Sequence, residues 1–302
     1  MTVYYSVLII GGGLIGSSMA RAIKSRNLAE RIHIADASAD ACKVLEDLGV
    51  ANSVSTDFNN KIGTADLVVL ATPPGVMDEI APDVVKAMKT GAVLTDVGST
   101  KLGLVKLLAP NMRSDIHFIP GHPIAGTENS GPAAGFADLF EERWCILTPV
   151  EGTDEEEVTR LSSLWEAMGS QIATMDPERH DMVLATTSHV PHLIAYTLVG
   201  TAMDMETVTR NDVVKYSAGG FRDFTRIAAS DPEMWRDVFL HNKDGVLEVV
   251  DRFIEDLSAL KRAIRWGDGD TLLEHFSKTR DIRRRIIDAG QDTEKPDFGR
   301  EG

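Results

Sequence analysis

The chain has 302 residues, 43% of them hydrophobic and 25% charged, with 31 Lys and Arg against 46 Asp and Glu for a formal net charge of −15. That length calls for one large or two moderate domains, and the acidic balance argues against nucleic acid or an anionic membrane as the main partner, since both need a basic surface. Two cysteines, Cys42 and Cys145, give no disulfide framework or metal-site spacing, and the N-terminus shows neither a basic n-region nor a long apolar stretch, so a cytoplasmic protein is expected.

The first predicted strand, Ser6–Ile10, runs into Gly11-Gly12-Gly13-Leu14-Ile15-Gly16. This fits G-x-G-x-x-G: Gly11 permits the tight turn, Gly13 lets the backbone approach a pyrophosphate, and Gly16 allows close packing of helix on strand. Leu14 and Ile15 open the helix, whose free N–H groups and dipole favour phosphates. The second strand, Arg31–Ala35, ends at Asp36, about 20 residues after Gly16 and placed to accept hydrogen bonds from a ribose diol. A carboxylate there would repel a 2′-phosphate, and Ala37 and Ser38 offer no Arg to neutralise one. NAD is therefore expected in preference to NADP.

Strands Leu67–Ala71, Ala92–Asp96 and His117–Pro120 follow, alternating with helical patterns as in a parallel sheet covered on both faces. Ligands bind at the carboxyl ends of such strands, which turns Thr72, Pro73 and the Asp96-Val97-Gly98-Ser99 loop toward the cofactor. Ser99 reads either as a site hydroxyl or as a helix cap, and Lys101 as a solvated side chain. The turn-rich segment Gly121-His122-Pro123 offers a side chain that exchanges protons near neutrality. That puts a base and a cofactor site on one sheet and points to an oxidoreductase. Strands Trp144–Thr148 and Gln171–Met175 flank a helix through Glu155–Met168, with Glu155-Glu156-Glu157 as its acidic first turn.

After Asp176-Pro177 helical periodicity dominates to about Ala289, as in Trp235–Trp266, where Phe239, Val246, Val249, Val250, Phe253 and Leu257 recur at three- and four-residue steps. The expected architecture is α/β: a Rossmann-type, doubly wound dinucleotide-binding domain over 1–176, an all-helical C-terminal domain over 177–290, and a polar tail over 291–302. Ser188-His189-Val190-Pro191-His192 carries a His pair, but no carboxylate or Cys sits at ligand spacing, so no metal is expected. Pro191 removes a backbone donor and marks a kink that would aim these side chains.

Three segments, Gly98-Ser99-Thr100-Lys101, Gly121-His122-Pro123-Ile124-Ala125-Gly126-Thr127-Glu128 and Gly219-Gly220-Phe221-Arg222-Asp223-Phe224-Thr225-Arg226-Ile227-Ala228, together resemble the prephenate/arogenate (cyclohexadienyl) dehydrogenase family of tyrosine biosynthesis. The resemblance extends from the glycine loop to about residue 285. It implies oxidative decarboxylation of a cyclohexadienol with hydride transfer to NAD, and His122 as the base that polarises the C4 hydroxyl. By the same resemblance Ser99 supports that oxygen or His122 itself, and Arg226 binds a substrate carboxylate, for which its planar fork is suited. Arg226 could instead pair with Asp223 on the same helical turn, or do both with Asp223 orienting it.

The resemblance further implies that His189 lines the cleft and that Thr127 and Glu128 complete the substrate loop. His192 is left between site and helix packing, and Glu128 between site and exposed turn. Arg222 is expected to face outward and Trp235 to be core or pocket wall. The long amphipathic helices exceed what one domain can bury, so a homodimer formed mainly through residues after 176 is expected. A β-hydroxyacid dehydrogenase-like enzyme is the nearest rival, but Ser188–Asp204 lacks the Lys that class relies on. A non-catalytic dinucleotide sensor would be expected to lose His122 or Arg226. Whether prephenate or arogenate is preferred stays open.

Overall fold

A computed structural model describes residues 2–127, 129–209, 215 and 218–288, and the chain divides into two compact units, Met1–Val246 and Leu247–Gly302. Glu128 and the expected tail over 291–302 lie outside the described residues.

In the first unit, six parallel strands form one sheet in the order β3-β2-β1-β4-β5-β6. They are β1 (Tyr4–Ile10), β2 (Ala29–Ala35), β3 (Ser53–Ser55), β4 (Leu67–Leu70), β5 (Val93–Asp96) and β6 (His117–Phe118). This is the doubly wound order of dinucleotide-binding folds, in which the chain reverses direction across the sheet at β1 and β4. Alternate residues of β1 serve opposite faces: Val7 and Ile9 join one apolar cluster, Leu8 and Ile10 the other. A strand covered on both faces reads as a continuous apolar run, which is why β1 was legible. The short β3 carries no such run and was not foreseen.

The single expected sheet is corrected. A second sheet, β7 (Gly121–Pro123), β8 (Trp144–Leu147) and β9 (Gln171–Thr174), has β7 antiparallel to β8 and β8 parallel to β9. Pro120 and Pro123 have no N–H to donate, so the chain cannot extend the parallel ladder beyond β6. It turns instead, and the Thr148 N–H donates to the Pro120 carbonyl at 2.8 Å. His122 therefore lies on a strand of the second sheet, not in a turn of the first. The helix between β8 and β9, Glu155–Ala167, starts as expected, with Asp154 capping it and the three glutamates in its first turn.

The first unit continues through helices Pro177–Leu184, Val190–Thr209, Gly219–Thr225 and Pro232–His241. The run Pro177–Met205 is long and apolar enough to cross a membrane by length and composition, although no segment was read that way from the sequence. The helical periodicity over Trp235–Trp266 is carried by two helices that meet at Asn242, whose backbone (φ −107°, ψ 37°) leaves the helical region. A second helix then runs over Lys243–Trp266, and Gly269–Ile286 follows it in the second unit. In that unit Phe253, Ile254, Leu257, Ile264, Trp266, Leu273 and Phe276 are exposed.

Candidate active site

The glycine loop connects β1 to helix Leu14–Ser25. Gly11 has φ +104°, and a Cβ there would meet the Ala71 carbonyl oxygen at 2.4 Å, so only glycine fits. A Cβ on Gly16 would sit 1.9 Å from the Gly11 carbonyl, which is the close helix-on-strand packing expected of that position. Around Gly13 the space is open, with no atom within 4 Å of a Cβ position. Gly13 has no side chain to cap the helix, which leaves the first-turn N–H groups of Leu14, Ile15 and Gly16 available to an anion.

Asp36 is anchored by its own neighbours, Oδ2 accepting from the Gly12 N–H at 2.8 Å and Oδ1 from the Ser38 N–H at 2.9 Å. Each carboxylate oxygen keeps a lone pair for a ribose hydroxyl. Past β4, the Thr72 hydroxyl is buried without a partner among the described residues, and Pro73 precedes a helix, Pro74–Ala87. Open space at Gly13, free helix N–H groups and an orphaned Thr72 hydroxyl all suit a dinucleotide.

At the end of β5, Asp96 and Lys101 are both fully buried and form an ion pair. The expectation that Lys101 is solvated is thus overturned. Its ammonium also donates to the Gly121 carbonyl at 2.7 Å, while Asp96 accepts from the Gly98 N–H at 2.9 Å and the Gly121 N–H at 3.4 Å. A charge this deep in the protein persists only when paired and hydrogen-bonded. The pair fastens β7 of the second sheet to the carboxyl end of β5.

One residue on, His122 is buried, with Nδ1 2.9 Å from Nε2 of His180. His180 Nδ1 lies 2.8 Å from Oδ1 of Asp181. Asp181 in turn accepts from the Lys101 and Leu102 N–H groups at 2.8 and 3.0 Å. Asn242 donates to the Asp181 carbonyl at 2.6 Å and to Nδ1 of His189 at 3.1 Å. Burial, then the fields of His180, Lys101 and His189, hold His122 well below the ordinary histidine value. Burial likewise lowers His180, against the pull of Asp181, and brings His189 to about 4. All three rings are neutral at physiological pH.

Ser99 is half-buried, and its backbone neighbours His189. His189 is fully buried and its Nε2 has no hydrogen-bond partner among the described residues. It closes a five-residue π-helical segment, Ala185–His189, which is the form taken by the distortion expected at Pro191. Pro191 withholds the N–H that would bond to residue 187, and such π segments accompany functional sites. His192 donates from Nδ1 to the Ser188 carbonyl at 2.8 Å and stacks on Trp235 at 3.6 Å between centroids. Arg226 is exposed, starts the turn Arg226–Ala229, and its charge is felt at His192.

One expected pairing does not match the structure. Asp223 pairs with Arg222 at 3.1 Å, not with Arg226, because successive residues of an exposed turn place those two groups side by side. Thr127 is exposed and accepts from the Asn129 N–H at 3.2 Å in a local turn. Sequence reasoning missed His180, Asp181, Asn242, Lys101 and Asp96 as members of one network. The one local signal was the adjacent pair His180-Asp181 early in a helix. Among the described residues no group of His, Cys, Asp or Glu could hold a metal ion.

The model of the prephenate dehydrogenase nucleotide-binding domain matches residues 19–174, and that of the prephenate dehydrogenase dimerization domain residues 176–278. The chain belongs to the prephenate dehydrogenase family. It is 42% identical to the cyclohexadienyl dehydrogenase of Zymomonas mobilis over 94% of this chain and 96% of that protein. The prephenate dehydrogenase of A. aeolicus, solved with hydroxyphenyl propionate and NAD+, superposes with a TM-score of 0.87 at 36% identity, covering 93% of this chain and 98% of that one. Synechocystis arogenate dehydrogenase has a TM-score of 0.76 at 26% identity, covering 92% and 99%. Membership of this prephenate dehydrogenase family makes the chain an NAD-dependent oxidoreductase and sets aside the β-hydroxyacid dehydrogenase and sensor readings.

Proposed function

We propose that the chain oxidises and decarboxylates prephenate to 4-hydroxyphenylpyruvate, arogenate to tyrosine, or both, with His122 as the base. The observation that carries this reading is a buried, neutral His122 held one residue from Gly121, which is bonded to Asp96 at the carboxyl end of the cofactor sheet. NAD, when bound, accepts the hydride from C4. Gly11, Gly13, Leu14, Ile15 and Gly16 hold its pyrophosphate, Asp36 its ribose, and Thr72 and Pro73 the loop beside it. His122 takes the C4 hydroxyl proton as the C–H bond breaks, and the C1 carboxylate leaves as CO₂ while the ring aromatises. Because aromatisation drives the reaction, alignment and a proton acceptor are the protein's main contributions.

Arg226 supplies the local cation that an anionic substrate needs in a chain of net charge −15. Ser99 supports the reacting oxygen or His122, His189 lines the cleft, and Thr127, Glu128 and Asp223 act on the substrate's flanks. The working division is a dinucleotide-binding domain over 1–176 and a substrate and dimerisation domain over 177–290, in a cytoplasmic homodimer. Exposed apolar side chains on Lys243–Trp266 and Gly269–Ile286 support dimerisation after residue 176. The test is NADH formation with prephenate and with arogenate, alongside sizing in solution. Turnover on either names the substrate, whereas NAD binding without turnover on both would sink the reading. A mass near one chain would refute the homodimer.

A further inference from the structure

We propose that His180 and Asp181 are a positioning pair that fixes the tautomer of His122, so that its Nε2 is the bare nitrogen offered to the substrate hydroxyl. The inference rests on the reading of His122 as the base and goes beyond it by naming what sets the base's competent form. The chain of reasoning begins at Asp181. Its Oδ1 faces the Lys101 N–H and His180 Nδ1, and its Oδ2 faces the Leu102 N–H. An ionised carboxylate only accepts, so His180 must carry its proton on Nδ1.

A neutral His180 then has a lone pair on Nε2, which lies 2.9 Å from His122 Nδ1. The proton of that bond must come from His122, whose Nδ1 becomes the N–H and whose Nε2 is left unprotonated. Two backbone N–H groups at the start of helix Leu102–Leu108 thereby set, through three side chains, which nitrogen of His122 is basic. In the step itself the substrate O–H bond breaks and an Nε2–H bond forms. The resulting imidazolium keeps its Nδ1–H bond to His180, with the Asp181 carboxylate behind it. Burial and the Lys101 charge oppose that imidazolium, and Lys101 is itself paired to Asp96. The logic parallels the acid–histidine arrangement of hydrolytic triads, in which the carboxylate holds a tautomer without being protonated itself.

The test combines ring ¹⁵N spectra of histidine-labelled protein with kinetics of Asp181→Asn, His180→Gln and His180→Asn. The wild-type spectrum should show His122 protonated at Nδ1 and bare at Nε2. Asp181→Asn should disturb that pattern and lower kcat by roughly 10²-fold or more, with the KM for NAD within about threefold of wild type. His180→Gln keeps an acceptor near the Nε2 position and should outperform His180→Asn, which does not. A merely structural role predicts no such order and no change of tautomer. His122 protonated at Nε2 in the wild type would overturn the proposal, as would kcat of Asp181→Asn within about threefold of wild type. If Asp181→Asn does not fold, equal activity of the two His180 variants overturns it as well. The tautomer is read without turnover, so failure of the base assignment itself, seen as full activity in His122→Asn, is a distinct result.

Discussion

The cofactor cradle and the histidine cluster are carried by one compact unit, yet they are made of different material. The cradle is backbone: a positive-φ glycine, open space at Gly13, the free N–H groups of one helix and a carboxylate anchored by two more backbone donors. The cluster is side chain on side chain. Asp96 and Lys101 come from one segment, His122 from a second, His180, Asp181 and His189 from a third, and Asn242 from a fourth. A backbone site tolerates loss of a side chain, because most of its donors belong to the fold. A buried network of side chains does not, since each deletion strands a partner away from water.

The largest effect should therefore come from the cluster. Lys101→Met leaves the Asp96 carboxylate fully buried without its cation, and should cost about 3–5 kcal/mol of stability in chemical denaturation. A loss below about 1 kcal/mol would mean that the ion pair is not what fastens the second sheet to the first. In the cradle, Asp36→Asn removes one charged acceptor and should raise the KM for NAD only about tenfold, the worth of one charge-assisted hydrogen bond, with kcat on the bound cofactor unchanged. A kcat collapse in this variant would erase the contrast between the two regions.

The same contrast explains what the sequence disclosed. Gly11, Gly13, Gly16 and Asp36 lie within one strand–helix–strand unit, so their spacing is local and readable. The hydrogen bond from His122 to His180 spans 58 residues, and that from Lys101 to Asp181 spans 80. No periodicity records such distances, and Lys101, a charged residue after a strand end, looks like any solvated lysine until its burial is known. Pro120 and Pro123 did carry the information that the parallel sheet ends at β6, but as an absence of donors it was easy to pass over. His122 stood out as a proton-exchanging side chain in a turn-rich segment beside the cofactor sheet, whereas its role as the base, and Arg226 altogether, came through family resemblance.

A further effect is on stability against pH. His122, His180, His189 and His192 all have folded values below the ordinary one. Below about pH 6.5 the unfolded chain takes up protons that the folded chain refuses, so stability is full above that value. It should decline as the pH falls toward about 4, the value for His189. A melting temperature indifferent to pH across this window would indicate that the cluster is hydrated in solution.

The most direct measurement is the pH dependence of kcat/KM for wild type and His122→Asn, with NAD affinity measured in parallel. The expected wild-type profile stays level through pH 6.5 and falls only well below it, because burial, with the nearby Lys101 charge, holds the base neutral. The variant should bind NAD normally and lose roughly 10²- to 10⁴-fold in turnover, the usual worth of a general base. A variant that turns over within about tenfold of wild type, with the same acid limb, would contradict His122 as the proton acceptor.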